Sequence, residues 1–164
     1  MTQRVDLSTV MDRLAIDAVI TGYAVAVDDG AWEDYLALFT PEGRADYRTA
    51  GGVEGPAAEV ADWLERTLRL FPVRQHLIVN RRLDLQDLGG YPGDRAQVRA
   101  DYLNPMRLER RPQDGAGADG STAPDFVAGG RYAFELLRTD AGWRVQQVTV
   151  QEKWRSLTGG LATG

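Results

Sequence analysis

One histidine occurs in 164 residues, His76, within Arg74-Gln75-His76-Leu77-Ile78-Val79-Asn80. The apolar residues that follow it give the segment a strand-like pattern. Asp28 lies 48 positions upstream, at the close of an amphipathic stretch. If helix and strand face each other, imidazole and carboxylate make a proton-transfer pair. Histidine suits that work because its unperturbed titration lies nearest neutrality. A carboxylate at a helix C-terminus meets the negative end of the macrodipole, which disfavours its charge. Its expected task is to hold His76 in one tautomer and stabilise the imidazolium, as a triad aspartate does. Read alone, an isolated strand histidine is more often a hydrogen-bonded structural residue. Asp28 beside Asp29-Gly30 also fits plain turn chemistry.

Two tyrosines, Tyr23 and Tyr47, carry hydroxyls able to polarise a carbonyl or steady an oxyanion, although buried tyrosines are commonly core residues. Asn80, four residues after His76, is expected on the same strand face, with Asn104 joining from the next strand. Phe71, Met106, Tyr132, Phe134 and Trp154 are candidate pocket walls, with core packing as their ordinary role.

The composition narrows the chemistry. A net charge of −5 argues against nucleic-acid or anionic-membrane partners. With no cysteine and one histidine, the chain offers neither thiol nucleophile nor multi-histidine metal site, and no metal or cofactor is expected. The first residues lack a signal-like apolar core and no run reaches membrane-spanning length, so a cytoplasmic protein is expected. Residues 1–164 are read as one domain with its core over about 7–157.

Leu7, Met11, Leu14, Ala18 and Gly22 recur at three-to-four spacing, which predicts an amphipathic helix to about Val27. Ser8 is placed to cap its start, and Gly30 to end it in a left-handed turn. A second helix is expected over about 31–39. A short strand follows at 43–48, and then a third helix over 56–70 on the stripe Val60, Trp63, Leu64 and Leu68. From there the period becomes two, predicting strands near 73–86, 95–110, 126–138 and 142–155. Residues 111–125 read as a mobile loop and 158–164 as a frayed tail. Helices followed by strands indicate α+β, with a curved, mainly antiparallel sheet wrapped around the N-terminal helices. Such a sheet leaves a conical internal pocket.

The segments Tyr23-Ala24-Val25-Ala26-Val27-Asp28-Asp29-Gly30-Ala31-Trp32, Leu38-Phe39-Thr40-Pro41, Ala45-Asp46-Tyr47, Gln75-His76 and Gly142-Trp143-Arg144-Val145 carry a resemblance. Together, across about residues 7 to 155, the chain resembles the SnoaL-like branch of the nuclear transport factor two-like superfamily, a cone-shaped α+β barrel. The nearest enzymes by motif are scytalone dehydratase-like, bile acid 7α-dehydratase-like and hexachlorocyclohexane dehydrochlorinase-like proteins. The resemblance implies that an aspartate–histidine pair, here Asp28 and His76, abstracts a proton and expels a leaving group. Tyr23 matches a tyrosine of the bile acid enzyme and Tyr47 one of the scytalone enzyme. Two departures stand out. The scytalone enzyme's second histidine has no counterpart near Gly129-Gly130-Arg131, and an acidic residue of the bile acid enzyme falls near Asn104.

The expected function is a cofactor-independent lyase, a dehydratase acting on a small, largely apolar hydroxylated metabolite such as a polyketide or steroid-like compound. An isomerase or aldol-type polyketide cyclase using the same pocket is the alternative. A non-catalytic ligand-binding module is a third reading. Homodimers or other homo-oligomers are expected from the superfamily's habit of pairing exposed sheet faces.

Overall fold

The computed structural model describes residues 6–86, 89–109 and 122–158. Helix α1 (Leu7–Asp29) crosses a curled sheet that closes as a half-barrel around it. Ile16, Val19, Ile20, Tyr23 and Val27 form its buried face. The stripe read from the sequence lies on the opposite side: Leu7 is 72 %, Met11 58 % and Leu14 60 % exposed. Spacing alone could not choose, because α1 is apolar on both faces. The inward set is the bulkier one and fills the cone. Ser8 is not the cap either. Asp6 takes that position, and Ser8 Oγ donates to its carboxylate. At the other end Gly30 adopts φ +66°, donating its N–H to Val27 O while Ala31 N–H reaches Ala26 O. This left-handed stop leaves Asp28 on the last turn.

Helix α2 (Trp32–Ala37) is shorter than expected. It is followed by β1 (Phe39–Asp46), β2 (Glu54–Pro56) and helix α3 (Ala57–Leu68). Tyr47 therefore sits just beyond β1, ahead of a 3₁₀ turn at Arg48–Ala50. The stretch expected as one strand over 73–86 divides into β3 (Val73–Arg74) and β4 (Leu77–Gln86). Gln75 and His76 occupy the break. Three long strands complete the sheet: β5 (Arg95–Arg107), β6 (Phe126–Thr139) and β7 (Gly142–Leu157). The order is β2-β1-β7-β6-β5-β3, with β4 also on β5. The β1–β7 pair is parallel and the other described pairs are antiparallel, so the sheet is mixed.

Register shifts bend it. One falls between Gly129 and Gly130, where a Cβ on Gly130 would sit 2.1 Å from Gln151 O, so only glycine fits. Most of the segment expected as a mobile loop, residues 111–121 of 111–125, lies outside the described residues, as do 159–164 of the expected frayed tail. The flanks are tied together: Thr158 N–H donates to Asp125 O, and Asp125 N–H to Met106 O.

Tyr23, Tyr35, Tyr132 and Phe134 make an aromatic cluster between α1 and the sheet, with ring centroids 5.2–5.7 Å apart around Tyr23. Away from it, a polar knot staples α1 to the β6–β7 hairpin. Arg138 grips the Asp12 carboxylate through both terminal nitrogens, at 2.8 and 2.6 Å, and its Nε reaches Asp94 at 3.1 Å. Trp143 Nε1 also donates to Asp12, and the Arg138 guanidinium lies 4.6 Å from the Trp143 ring centre. The Arg138 hydrogen bonds, aided by Trp143, hold the Asp12 carboxyl below its usual 3.8 against the opposing effect of burial. A carboxyl lowered on folding adds stability above its unfolded pKa and loses it as pH falls through the folded value. Asp12→Asn is expected to cost about 2–3 kcal/mol at pH 7, because it unbalances a largely buried pair. Urea unfolding should show that difference shrinking as pH drops below about 4.

Candidate active site

Helix α1 delivers Asp28 to the break between β3 and β4, where His76 takes the carboxylate twice. The His76 backbone N–H donates to Asp28 Oδ2 at 2.8 Å, and ring Nδ1 lies 2.5 Å from Oδ1. The missing ladder bond at His76 is thus replaced by a side-chain acceptor from another element. With Nδ1 engaged by a carboxylate, the ring is assigned as the Nδ1–H tautomer, which leaves Nε2 with a free lone pair. His76 lines a cavity between α3 and the sheet, and its side chain is 8 % exposed.

Arg74 holds this arrangement from behind. Its Nε donates to Asp28 O at 2.9 Å, and Nη1 donates to Leu68 O at 3.0 Å and Phe71 O at 3.3 Å. One guanidinium therefore caps the C-terminal ends of α1 and α3 together, where the macrodipoles favour a cation. Nothing in the residue pattern marks this role, since the acceptors are carbonyls brought in by tertiary packing.

The cavity has a volume of about 270 Å³. Trp63, Leu68, Phe71, Met106 and Phe126 form apolar walls. Tyr47, Tyr132 and Asn104 bring polar groups alongside His76. Burial pushes the Tyr47 hydroxyl well above the usual tyrosine range, and neighbouring tyrosines push the same way. Tyr132 is raised chiefly by burial too, with Asn104 opposing. Both are therefore neutral O–H groups at ordinary pH. The Tyr47 and Asn104 side chains lie near enough to the Tyr132 hydroxyl to bear on its ionisation. Asn104 Oδ1 is buried without a partner, an acceptor that a ligand donor would satisfy. Arg155 and Glu152 also line the cavity, and Arg155 Nε donates to Glu152.

Several expected site residues stand elsewhere. Asn80 is exposed, at φ +52° beside a register shift between Val79 and Arg82, and its amide donates to Asp101. The bulge turns it off the face it would share with His76. Trp154 lies outside the cavity against Gly129 and is half exposed. An extra β7 residue at the Gly129–Gly130 shift reverses the alternation there, so Glu152 and Arg155 reach the cavity and Trp154 does not. Phe134 and Tyr23 belong to the aromatic cluster rather than the cavity wall. The Tyr23 hydroxyl is buried and unpartnered. Residues the spacing could have found were missed as well: Tyr102 shares its face with Asn104 and Met106 at period two, and Trp63 follows the α3 stripe.

Among the described residues, no three His, Cys, Asp or Glu side chains gather as metal ligands, and no helix is long and apolar enough to cross a membrane. As the sole histidine, His76 gives one unambiguous set of ring nitrogen resonances. We expect a protonated Nδ1 and an unprotonated Nε2 in ¹⁵N spectra near pH 8, with Asp28→Asn disturbing that tautomer. A ring protonated at Nε2 would contradict the assignment.

Comparison with known proteins places this geometry in a family. Residues 8–149 match the SnoaL-like domain. An uncharacterized protein of Mycobacterium tuberculosis is 29 % identical over 139 residues, spanning 85 % of this chain and 84 % of its own. The hexachlorocyclohexane dehydrochlorinase LinA-type3 from Novosphingobium barchaimii LL02 has a TM-score of 0.71 at 16 % identity, over 96 % of this chain and 97 % of that one. A protein assigned as a scytalone dehydratase from Novosphingobium aromaticivorans gives 0.66 at 17 % identity, over 94 % and 97 %. At such identities the solved structures establish the shared fold. With the domain matched over most of its length, the chain belongs to the SnoaL-like family, within the nuclear transport factor two-like superfamily.

Proposed function

We propose that the protein is a cofactor-independent lyase, a dehydratase that removes water from a small, largely apolar hydroxylated metabolite. The observation that carries this reading is the His76–Asp28 pair set in the wall of a cavity that is otherwise mostly apolar. Its fold neighbours named as a dehydratase and a dehydrochlorinase support the class of reaction. A cavity near 270 Å³ lies at the small end for ligand sites, which favours a compact polyketide-like ring system over a full steroid.

In this reading His76 Nε2 removes a proton from the carbon beside a substrate carbonyl. The C–H electrons form the new double bond as the β-hydroxyl departs. The imidazolium returns the proton to that hydroxyl, so one water leaves and the enzyme is restored. Asp28 stabilises the charged ring between the two steps. The Tyr132 O–H polarises the carbonyl, with the Tyr47 hydroxyl close beside it. Asn104 Oδ1 accepts from a substrate hydroxyl. Tyr23 keeps a packing role behind the pair.

A second reading is an isomerase or aldol-type cyclase. It is favoured by one feature: His76 is the sole imidazole, and the other carboxylate at the cavity, Glu152, is paired to Arg155. A single shuttle suits proton return to carbon as well as to oxygen. The two readings separate by product mass, since a β-hydroxy ketone either loses water or keeps its composition. In both, His76→Ala and Asp28→Asn should each lower turnover by about 10²–10⁴-fold while circular dichroism is unchanged. Turnover unaffected by His76→Ala in a folded protein would refute both, and a wild type that binds such ligands without turning them over would leave the cavity as a binding site.

A further inference from the structure

Inward packing uses one apolar face of α1 and leaves the other open. Leu7, Met11, Leu14, Ala18, Thr21 and Val25 succeed one another at alternating steps of four and three residues. All six are exposed, and Val10 flanks them. They lie opposite Ile16, Ile20, Tyr23 and Val27, so whatever covers them leaves the cavity wall undisturbed. Alternating four-three spacing is the seam of paired helices, and here it runs ~27 Å along α1.

We infer that this open face is a self-association surface, on which a second copy of the chain lays its own α1 antiparallel. Size complementarity selects that partner and that direction. The long side chains Leu7, Met11 and Leu14 occupy the N-terminal half, and the short ones, Ala18, Thr21 and Val25, the C-terminal half. An antiparallel copy sets Leu7 against Val25, Met11 against Thr21 and Leu14 against Ala18, so each layer joins long with short. A parallel copy would crowd one end and leave the other empty.

Charge agrees. The last turn of α1 carries Asp28 and Asp29 and no basic residue. Asp29 is exposed beside the seam. A parallel partner would set Asp29 beside its own copy, whereas an antiparallel one brings the α1 N-terminus there, its unpaired amides together with the exposed Asp6 that caps them. The acidic flank at Asp17 is already neutralised by Arg81, which also holds the Thr21 hydroxyl. Closing the seam from both sides removes on the order of 1,000 Å² from water, the lower range for a specific interface. A micromolar dimer is expected. This inference is independent of the chemistry in the cavity.

Because the chain has no cysteine, introduced thiols report only their own neighbours. A Leu14→Cys chain mixed with an Ala18→Cys chain should form a mixed disulfide under mild oxidation, with neither cross-linking to itself. Sedimentation from about 1 to 100 µM should show a monomer–dimer equilibrium. Leu14→Arg should abolish the dimer with an unchanged unfolding midpoint, whereas Leu103→Arg on the outer sheet should keep it. A wild type monomeric throughout, a dimer surviving Leu14→Arg, or Leu14→Cys linking to its own copy would each overturn the proposal. Should Leu14→Arg fail to fold, the cross-linking result decides.

Discussion

The carboxylate of Asp28 is the point on which the site turns. It receives two hydrogen bonds from His76, one from the backbone and one from the ring. The backbone bond fixes where the residue sits and the ring bond fixes how it faces. Every nearby element serves that contact. Gly30 stops α1 two residues after the aspartate, and Arg74 ties the same helix end to that of α3. The break between β3 and β4 is the cost of the geometry. Regular pairing through His76 would give its N–H to a neighbouring strand instead of the carboxylate.

Polarity is distributed unevenly around this pair, and that unevenness makes the cavity chemically useful. Aromatic and aliphatic walls exclude water, which strengthens the few electrostatic contacts inside. Tyr47, Tyr132 and Asn104 line the same cavity, the tyrosines as neutral hydroxyls and Asn104 with an unpartnered amide oxygen. Together they offer a donor and an acceptor beside a base. The charged groups Glu152 and Arg155 also line the cavity and pair with each other, Arg155 half exposed and Glu152 largely buried. The Asp12–Arg138–Asp94 knot plays a different part, anchoring α1 to the sheet away from the chemistry.

Helix α1 joins these themes. Its inner face packs the aromatic cluster, its last turn supplies the carboxylate, and its outer face remains apolar. A helix with two apolar faces needs two partners, and the half-barrel supplies one. The seam on the other face is long, regular in spacing and graded in side-chain size. Those features together are specific in a way that scattered exposed leucines are not.

The sequence by itself determined the order of the main elements and the glycine stop after Asp28, and through its resemblance to a known family it pointed to the pairing of Asp28 with His76. The first two follow from local rules: helical and strand periods and the conformational freedom of Gly30. It also marked Tyr47, Asn104, Phe71, Met106 and Tyr132, which do line the cavity. Only the tertiary structure decided which face of α1 turns inward, since both carry a helical apolar period. It alone placed Asn80 and Trp154 outside, because a bulge adds one residue and inverts every side chain beyond it. Arg74 was invisible for a related reason: its partners are backbone carbonyls of two helix ends, and no residue type records where a carbonyl will point.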